Sequence, residues 1–421
     1  MFGSEQWWIM SRSLRILINC YVFPPEVQSA GTMVRELAED LAAKGHDVTV
    51  VTGFPNFPHG SLYAGWRRSW RQETRRDGYR LVRVWHTLGL RRSVLRRIVY
   101  YATYSVGAFC AGLSLGRIDA IFDISPPLVG TPVALALAKL KRARFIFANW
   151  DIYPEVAWDT GVLKRGVVAR LIARLDTMVC NRSTAVAVLA PALRSLLVAR
   201  GVKPEKVIVL PLWVAVEPAA GLEEARAWRR ANGLADDSFI LLYAGTIGML
   251  NDAEILVYAA DLLRDRTNFA LVFVGDGATR DRVARAASER TLSNVHFLPL
   301  QPRELMPAIY AAADLCAVTL AAGKGQTCAP SKMLAYMAAA RPVLGVVDAD
   351  SATADWIRDA RCGTVVRPGD AQACAAAIER LMESSETRAR YGQAARAYVT
   401  QAFERSRCTP LYESVLAGPD T

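Results

Sequence analysis

Short apolar runs recur along the chain, each followed by a turn and then a helical stretch. LRILINC (14–20), DVTVVT (47–52), DAIFDI (119–124) and RFIFA (144–148) are of this kind. A strand buried on both faces has no polar side to show, and its parallel neighbour is reached only through a crossover, usually a helix. The pattern is therefore that of an open, parallel α/β sheet with helices on both sides. It starts afresh with FILLY (239–243), FALVFV (269–274), VHFL (295–298) and DLCAVT (314–319). Between the two series, PLWVAVEPAAG (211–221) loses its apolar period and reads as a linker. A chain of 421 residues also exceeds one ordinary core. We therefore expect a leader over 1–13, one doubly wound domain over 14–211 and a second over 212–395. A terminal helix over 396–421 is expected to pack back towards the first domain.

Composition narrows the class. An apolar content of 52% with 22% charged residues describes a folded protein. The net charge of +11, with arginine densest between Arg67 and Arg97, points to an anionic partner: nucleic acid, an acidic membrane or a phosphorylated substrate. The eight cysteines form no C-x-x-C pair and no Cys/His cluster, which argues against zinc and for a reducing compartment. The start, MFGSEQWWIMSRS, does not read as a secretory signal.

In open α/β sheets ligands sit at the carboxyl ends of strands, and the candidate residues are those the chain places there. A helix expected from about Thr32 to Lys44 opens at Gly31, which either leaves bare N–H groups towards a ligand or only permits a tight turn. After RFIFA, the segment NWDIYPEVAWDTG brings Asp151 and Glu155 to a strand end. Helix capping and helix-start stabilisation are the structural alternatives for these two. In TCAPSKMLAYMAAARP (327–342) a turn opens an Ala-rich helix that closes at Arg341-Pro342. Ser331, Lys332 and the helix N-terminus together suit a diphosphate, the alternative being an ordinary capped helix. Residues 98–116 carry no charge but contain three Tyr and three Gly, which weakens a membrane span. Arg91, Arg92, Arg96 and Arg97 beside them suit a helix lying on an anionic membrane, or a buried helix with arginine at its exposed end. His46 reads as a surface turn residue, and His59 lies in a long loop near the expected site. Asp348-Ala-Asp350 spells a short metal motif but follows a strand as a turn would.

The ordered set of segments resembles the family-4 glycosyltransferases of the GT-B fold over nearly the whole chain. PPEVQSAG and GHDVTVVTGFPNFPHG resemble the family's first loop and second strand. YAGTIG, VGDGATRDRV, NVHFLPL and AAADLCAVTL resemble successive parts of its nucleotide domain, and PSKMLAYMAAARPVL its signature helix. ISPPLVGTPVALALAK and NWDIYPEVAWDTG look like a bacterial branch that extends lipid-linked saccharides for O-antigen, capsule or colanic-acid-like polymers, and the N-acetylfucosamine-type transferases among them. The family's paired Glu positions fall here on Thr327 and Ala335, and its phosphate-loop cations on Thr246 and about Asn251.

The resemblance implies two Rossmann-like domains facing across a cleft. It implies transfer of a sugar from a nucleotide sugar, expected to be a UDP-sugar, to a polyprenyl-diphosphate-linked saccharide, with retention and without a metal or other cofactor. Gly31, Thr246, Gly248, Gly277, Arg280, Ser331 and Lys332 are then the candidate donor-binding residues, with backbone near Leu298 meeting the base. Asp151, followed by Glu155, is the candidate for acceptor activation. The expected setting is the cytoplasmic face of the membrane, with no nucleic-acid partner. A non-catalytic nucleotide-sugar- or membrane-binding subunit and a nucleotide-sugar epimerase of the same shape stay open as alternatives.

Overall fold

The computed structural model describes residues 13–418 except 27, 58–59, 90–93, 126–128, 160–162, 165, 217–219 and 326–329. Arg91, Arg92, His59 and Thr327 therefore lie outside the described residues.

The first domain runs β1 (Arg15–Asn19), α1 (Ser29–Ala43), β2 (Asp47–Gly53), β3 (Arg71–Arg76), β4 (Tyr79–Val84), α2 (Val94–Ser114), β5 (Ala120–Ile124), α3 (Thr131–Lys141), β6 (Arg144–Ala148), α4 (Glu155–Asp159), α5 (Val167–Arg182), β7 (Ala185–Val188), α6 (Pro191–Ala199) and β8 (Val207–Val209). These strands form one sheet in the order β3-β4-β2-β1-β5-β6-β7-β8. All neighbours are parallel except β3, which pairs antiparallel with β4. Every residue of β5 and β7 is buried, as a parallel sheet covered on both faces requires. From β1 the order runs outward in both directions. Right-handed crossovers therefore put α1 on one face and α2, α3 and α5 on the other. The strand β3, RQETRR, is exposed along its length and was not expected; its charges suit an uncovered sheet edge.

The second domain runs α7 (Leu222–Ala231), β9 (Phe239–Ala244), α8 (Glu254–Leu262), β10 (Phe269–Val274), α9 (Arg280–Glu289), β11 (Val295–Leu298), α10 (Met306–Ala312), β12 (Leu315–Thr319), α11 (Lys332–Ala338), β13 (Val343–Val346), α12 (Ala352–Ala360), β14 (Gly363–Val366), α13 (Ala371–Glu383), α14 (Ser385–Ala402) and α15 (Arg405–Ala417). Its six strands are all parallel, in the order β11-β10-β9-β12-β13-β14.

The expected linker is strapped down. Trp213 is buried and its indole N–H donates to Glu36 Oε2 at 2.8 Å. Val214 N donates to Phe403 O at 2.9 Å. The helix α15 lies on the first domain: Tyr412 packs edge-on against Phe122 of β5 and Trp213, and the Arg405 guanidinium holds Asp40 at 2.7 Å and Glu39 at 3.1 Å. His46 is not a surface turn residue. It is 4% exposed, accepts from Leu14 N at 3.2 Å through Nδ1 and meets Glu413 Oε1 at 3.1 Å through Nε2.

All but the last two residues of the uncharged segment 98–116 belong to α2, and among the described residues no helix is long and apolar enough to cross a membrane. Two of its glycines have a packing reason. A Cβ on Gly107 would lie 3.0 Å from Val84 Cβ, and one on Gly112 would lie 2.3 Å from Leu137 Cδ2. They let α2 settle close against β4 and α3.

Candidate functional site

The second domain presents two interlocked loops at the ends of β9 and β10. Gly245 has φ +117° and Gly275 has φ +145°, conformations that favour glycine. A Cβ on Gly275 would sit 2.2 Å from Gly245 O, and one on Gly277 would sit 2.2 Å from Ile247 O. Backbone bonds then stitch the loops: Gly245 N to Val274 O at 2.8 Å, Ile247 N to Asp276 O at 3.0 Å and Thr279 N to Ile247 O at 3.1 Å. Thr279 Oγ1 donates to the same Ile247 carbonyl at 3.0 Å. Gly277, expected to touch the donor, is thus first of all the residue that permits this contact. Leu298 closes the row, its carbonyl accepting from Gly275 N at 3.2 Å.

Lys332 reaches this floor from α11. Its Nζ stands 3.7 Å from the centroid of the Tyr243 ring, a cation–π arrangement, and 3.6 Å from where a Cβ on Gly245 would be. One turn on, the Tyr336 hydroxyl takes Ala244 N at 2.8 Å and gives to Ala244 O at 3.0 Å, which pins α11 to the end of β9. The Tyr243 hydroxyl donates to Thr246 O at 2.8 Å, and Gly248 N donates to Asn251 Oδ1 at 3.2 Å. Thr246 is exposed and Gly248 half-buried. Asn251, standing near where a family cation would be, shapes the turn. The helix expected to follow the Ala329-Pro330-Ser331 turn and to close at Arg341-Pro342 is only the two turns of α11, with exposed Ser331 at its start and half-buried Ala335 inside it. Ala335 lines a cavity of about 240 Å³ with Val214, Met306 and Tyr310. Arg280 opens α9 with its guanidinium 5.8 Å from the Phe297 ring centre.

Gly31 does not open its helix. Because α1 begins at Ser29, Gly31 lies buried in the first turn. A Cβ there would be 3.1 Å from Phe23 Cα and 3.2 Å from Val22 O, so its role is close packing of α1 on the preceding loop. That loop is held from inside by Glu26, 2% exposed, whose carboxylate accepts from Asn56 N at 2.9 Å, Phe57 N at 2.8 Å and Phe23 N at 3.3 Å.

The first domain gathers a second group of side chains beyond β1 and β6. Asp151 lies in a bend four residues before α4 and so is not that helix's cap. Burial raises its carboxyl to about 6. Its charge reaches Tyr21, Tyr101 and Tyr153, and the Arg97 charge reaches the last two. The Tyr21 and Tyr101 rings meet edge-on at 5.5 Å and share a hydrogen bond. Burial pushes Tyr101 up to about 12, with the Arg97 charge pulling the other way. Arg97, expected at a membrane, is half-buried and acts on this cluster, whereas Arg96 is exposed. The three tyrosines were not expected here. Their only signal in the sequence was position: Tyr21 and Tyr153 each follow a buried strand closely.

Glu155 plays a different part. The Arg200 guanidinium bridges Glu155 Oε2 at 3.0 Å and Asp176 Oδ2 at 2.9 Å, and donates to Tyr153 O at 2.9 Å. Asp176 also accepts from Asn149 Nδ2 at 3.1 Å. Glu155 is therefore tied into a network that fixes the 149–155 segment to α5 and α6. Asp348 accepts from Gly323 N at 2.7 Å, as a turn residue does. Among the described residues no three His, Cys, Asp or Glu side chains come together as a metal-holding group.

Two α/β domains of this kind, with parallel sheets and glycine-built loops at the strand ends of the second, define a GT-B architecture. Residues 29–213 match the glycosyl transferase 4-like domain, and residues 224–398 match glycosyl transferases group 1. The chain belongs to the family-4 GT-B glycosyltransferases, in the group related to colanic acid and O-antigen enzymes. It is 28% identical to WcaI of Escherichia coli (strain K12), provisionally named a colanic acid biosynthesis glycosyl transferase, over 77% of this chain and 81% of that one. It is 25% identical to WbjE of Pseudomonas aeruginosa, also provisionally named a glycosyltransferase, over 61% of this chain and 66% of that one. The fold is similar to that of Anabaena HepE in complex with UDP-glucose, with a TM-score of 0.72 at 14% identity, covering 96% of this chain and 99% of that one.

Proposed function

We propose that the protein transfers a sugar from a nucleotide sugar, a UDP-sugar in the first instance, to a polyprenyl-diphosphate-linked saccharide during bacterial surface polysaccharide synthesis. The observation that carries this reading is the Lys332 ammonium beside the bare backbone of Gly245, on a floor formed by two interlocked loops. As the anomeric C–O bond breaks, negative charge grows on the departing diphosphate and positive charge on the sugar. Fixed dipoles and a cation aimed at the diphosphate stabilise that state most. Lys332, with backbone of Thr246 and Gly248, is suited to this, and Arg280 stands at the next loop. The charge is then met by protein groups without a metal. The base lies along Leu298, as HepE's binding of UDP-glucose makes reasonable by analogy of fold.

Asp151 orients or deprotonates the acceptor hydroxyl. Its raised carboxyl is half ionised near pH 6 and so remains a usable base near neutrality. Glu155 positions it through Arg200. Transfer proceeds with retention, at the cytoplasmic face of the membrane where such an acceptor is found. The test is incubation of purified protein with labelled UDP-sugars and a polyprenyl-diphosphate disaccharide, with and without EDTA, and analysis of the product's anomeric configuration. An α-linked product from an α-donor, unaffected by EDTA, supports the reading; no transfer from any donor overturns it. A second reading, a non-catalytic nucleotide-sugar-binding subunit, is favoured by Ala335 standing where the family resemblance implies a Glu. It would give nucleotide binding without transfer.

A further inference from the structure

One face of α2 turns towards the carboxyl ends of β1 and β2. Tyr104 is buried there, with its hydroxyl 2.6 Å from Asn19 Oδ1 and 3.1 Å from Val51 O. Tyr101 and Arg97 precede it by three and seven residues, so they share that face, one and two turns nearer the start of the helix. Tyr101 is held firmly: its ring meets Tyr21 at 5.5 Å and buried Tyr100 at 5.4 Å, edge-on in both cases. Tyr153 comes from the loop after β6, and its carbonyl accepts from Arg200 at 2.9 Å. Asp151, Tyr21, Tyr101, Tyr153 and Arg97 are each half-buried, so the row keeps a side open to a ligand. Aromatic rings with hydroxyl handles suit both the C–H face and the hydroxyls of a sugar.

Arg97 differs from Arg83, Arg200 and Arg229, which also turn inwards. Arg83 donates to Gly53 O and Pro24 O, both at 2.6 Å. Arg200 bridges Glu155 and Asp176, and Arg229 meets Asp314 at 3.0 Å. Among the described residues Arg97 has no ion pair, and its Nε is buried without a hydrogen-bond partner. Nor does Asp151 neutralise it. Burial alone raises the Asp151 carboxyl, with no part from Arg97, whereas Tyr101 and Tyr153 feel both charges. The two tyrosines therefore stand between carboxylate and guanidinium. A guanidinium held partly out of water without a counter-ion is unfavourable. An arriving phosphate or carboxylate would relieve it with paired, charge-assisted hydrogen bonds.

We propose that Arg97 is the residue by which the chain selects an acidic acceptor. It holds an anionic group of the acceptor, a phosphate or a sugar carboxylate, while the sugar lies along Tyr101 and Tyr153 with its reacting hydroxyl at Asp151. The proposal rests on the reading of Asp151 as the acceptor end of the site. It adds which part of the acceptor is recognised, and by which side chain.

The experiment is calorimetric titration of the full chain, without donor, using three series of probes built on the same panel of hexoses. Farnesyl-diphosphate-linked hexoses carry the anion in the lipid linkage, octyl hexuronides carry it in the sugar, and octyl hexosides are uncharged. Wild type should bind one acidic series at least about thirtyfold more tightly than the uncharged one. The series preferred names the source of the anion. Arg97→Ala should lose that preference and bind the uncharged series as wild type does, and Arg97→Lys should recover part of it. Arg97→Gln keeps much of the stem's packing and should lose the preference equally. No ion pair is lost in Arg97→Ala, so its Tm should not fall, as it would if the arginine only held the structure together. A wild type that ignores the charge, or an Arg97→Ala protein that keeps the preference, overturns the proposal. An Arg97-dependent preference without sugar transfer from any donor would instead count against the transferase reading alone.

Discussion

Replacing Gly277 with alanine would put a methyl carbon 2.2 Å from Ile247 O and 2.6 Å from Ile247 C. Both are backbone atoms, so the clash cannot be relieved by turning a side chain. The 245–248 loop must move away from the 275–279 loop, and three hydrogen bonds bear on that contact: Ile247 N to Asp276 O, and Thr279 N and Oγ1 to Ile247 O. Overpacking costs about 1–3 kcal/mol, and each weakened bond about a further 1 kcal/mol. A loss of about 3 kcal/mol is expected, which for a domain of this size lowers Tm by about 6–12 °C. The same shift displaces Thr246, Gly248 and the ground beneath Lys332, so affinity for a nucleoside diphosphate should fall by about tenfold or more. Gly248→Ala is the control. Its new methyl would meet Asn251 Oδ1 at 3.2 Å, a side-chain atom that can yield, and it should cost less than about 1 kcal/mol. Thermal unfolding and calorimetric titration of both variants read the difference. A Gly277→Ala protein as stable as Gly248→Ala, with unchanged nucleotide affinity, would refute the interlocked-loop argument.

Asp151→Asn should abolish transfer while leaving nucleotide binding intact, and wild-type kcat/KM should fall as pH drops below about 6, where the carboxylate takes up its proton. The raised value also affects stability. Between pH 4 and 6 the folded protein holds a proton there that the unfolded chain has lost, so this group's contribution declines as pH rises through that window. The Asn variant should lack that decline and gain at most about 3 kcal/mol at pH 7 by denaturant titration, less where water screens the side chain. Arg200→Ala leaves the buried Asp176 charge without its ion pair and should cost about 3–5 kcal/mol, again by denaturant titration.

The sheets were legible because their strands are buried on both faces and so announce themselves as apolar runs. RQETRR was not, since an edge strand needs no apolar side and its pairing with β4 is set by the turn at Asp77-Gly78. GTVV of β14 is too short for its period to register. Of the candidate site, the loops carrying Thr246, Gly277 and Asp151 could be placed by their position after strands. The partners of each residue could not: Lys332 lies 87 residues from Gly245, and Tyr101 lies 80 from Tyr21. Periodicity places a side chain on a face of its own element but says nothing about which distant residue meets it there. Gly31 shows the same limit at short range, because moving the helix start by three residues turns an opening glycine into a packed one.

The central claim is that the loops after β9 and β10, with Lys332, hold the diphosphate of a nucleotide. Calorimetric titration of wild type and Lys332→Ala with UDP, GDP and ADP, each with and without EDTA, tests it directly. We predict that one nucleotide binds the wild type, that EDTA leaves its affinity unchanged, and that Lys332→Ala weakens it by about tenfold or more at unchanged Tm. Equal affinity for the variant, or no binding of any nucleotide to the wild type, would contradict the account.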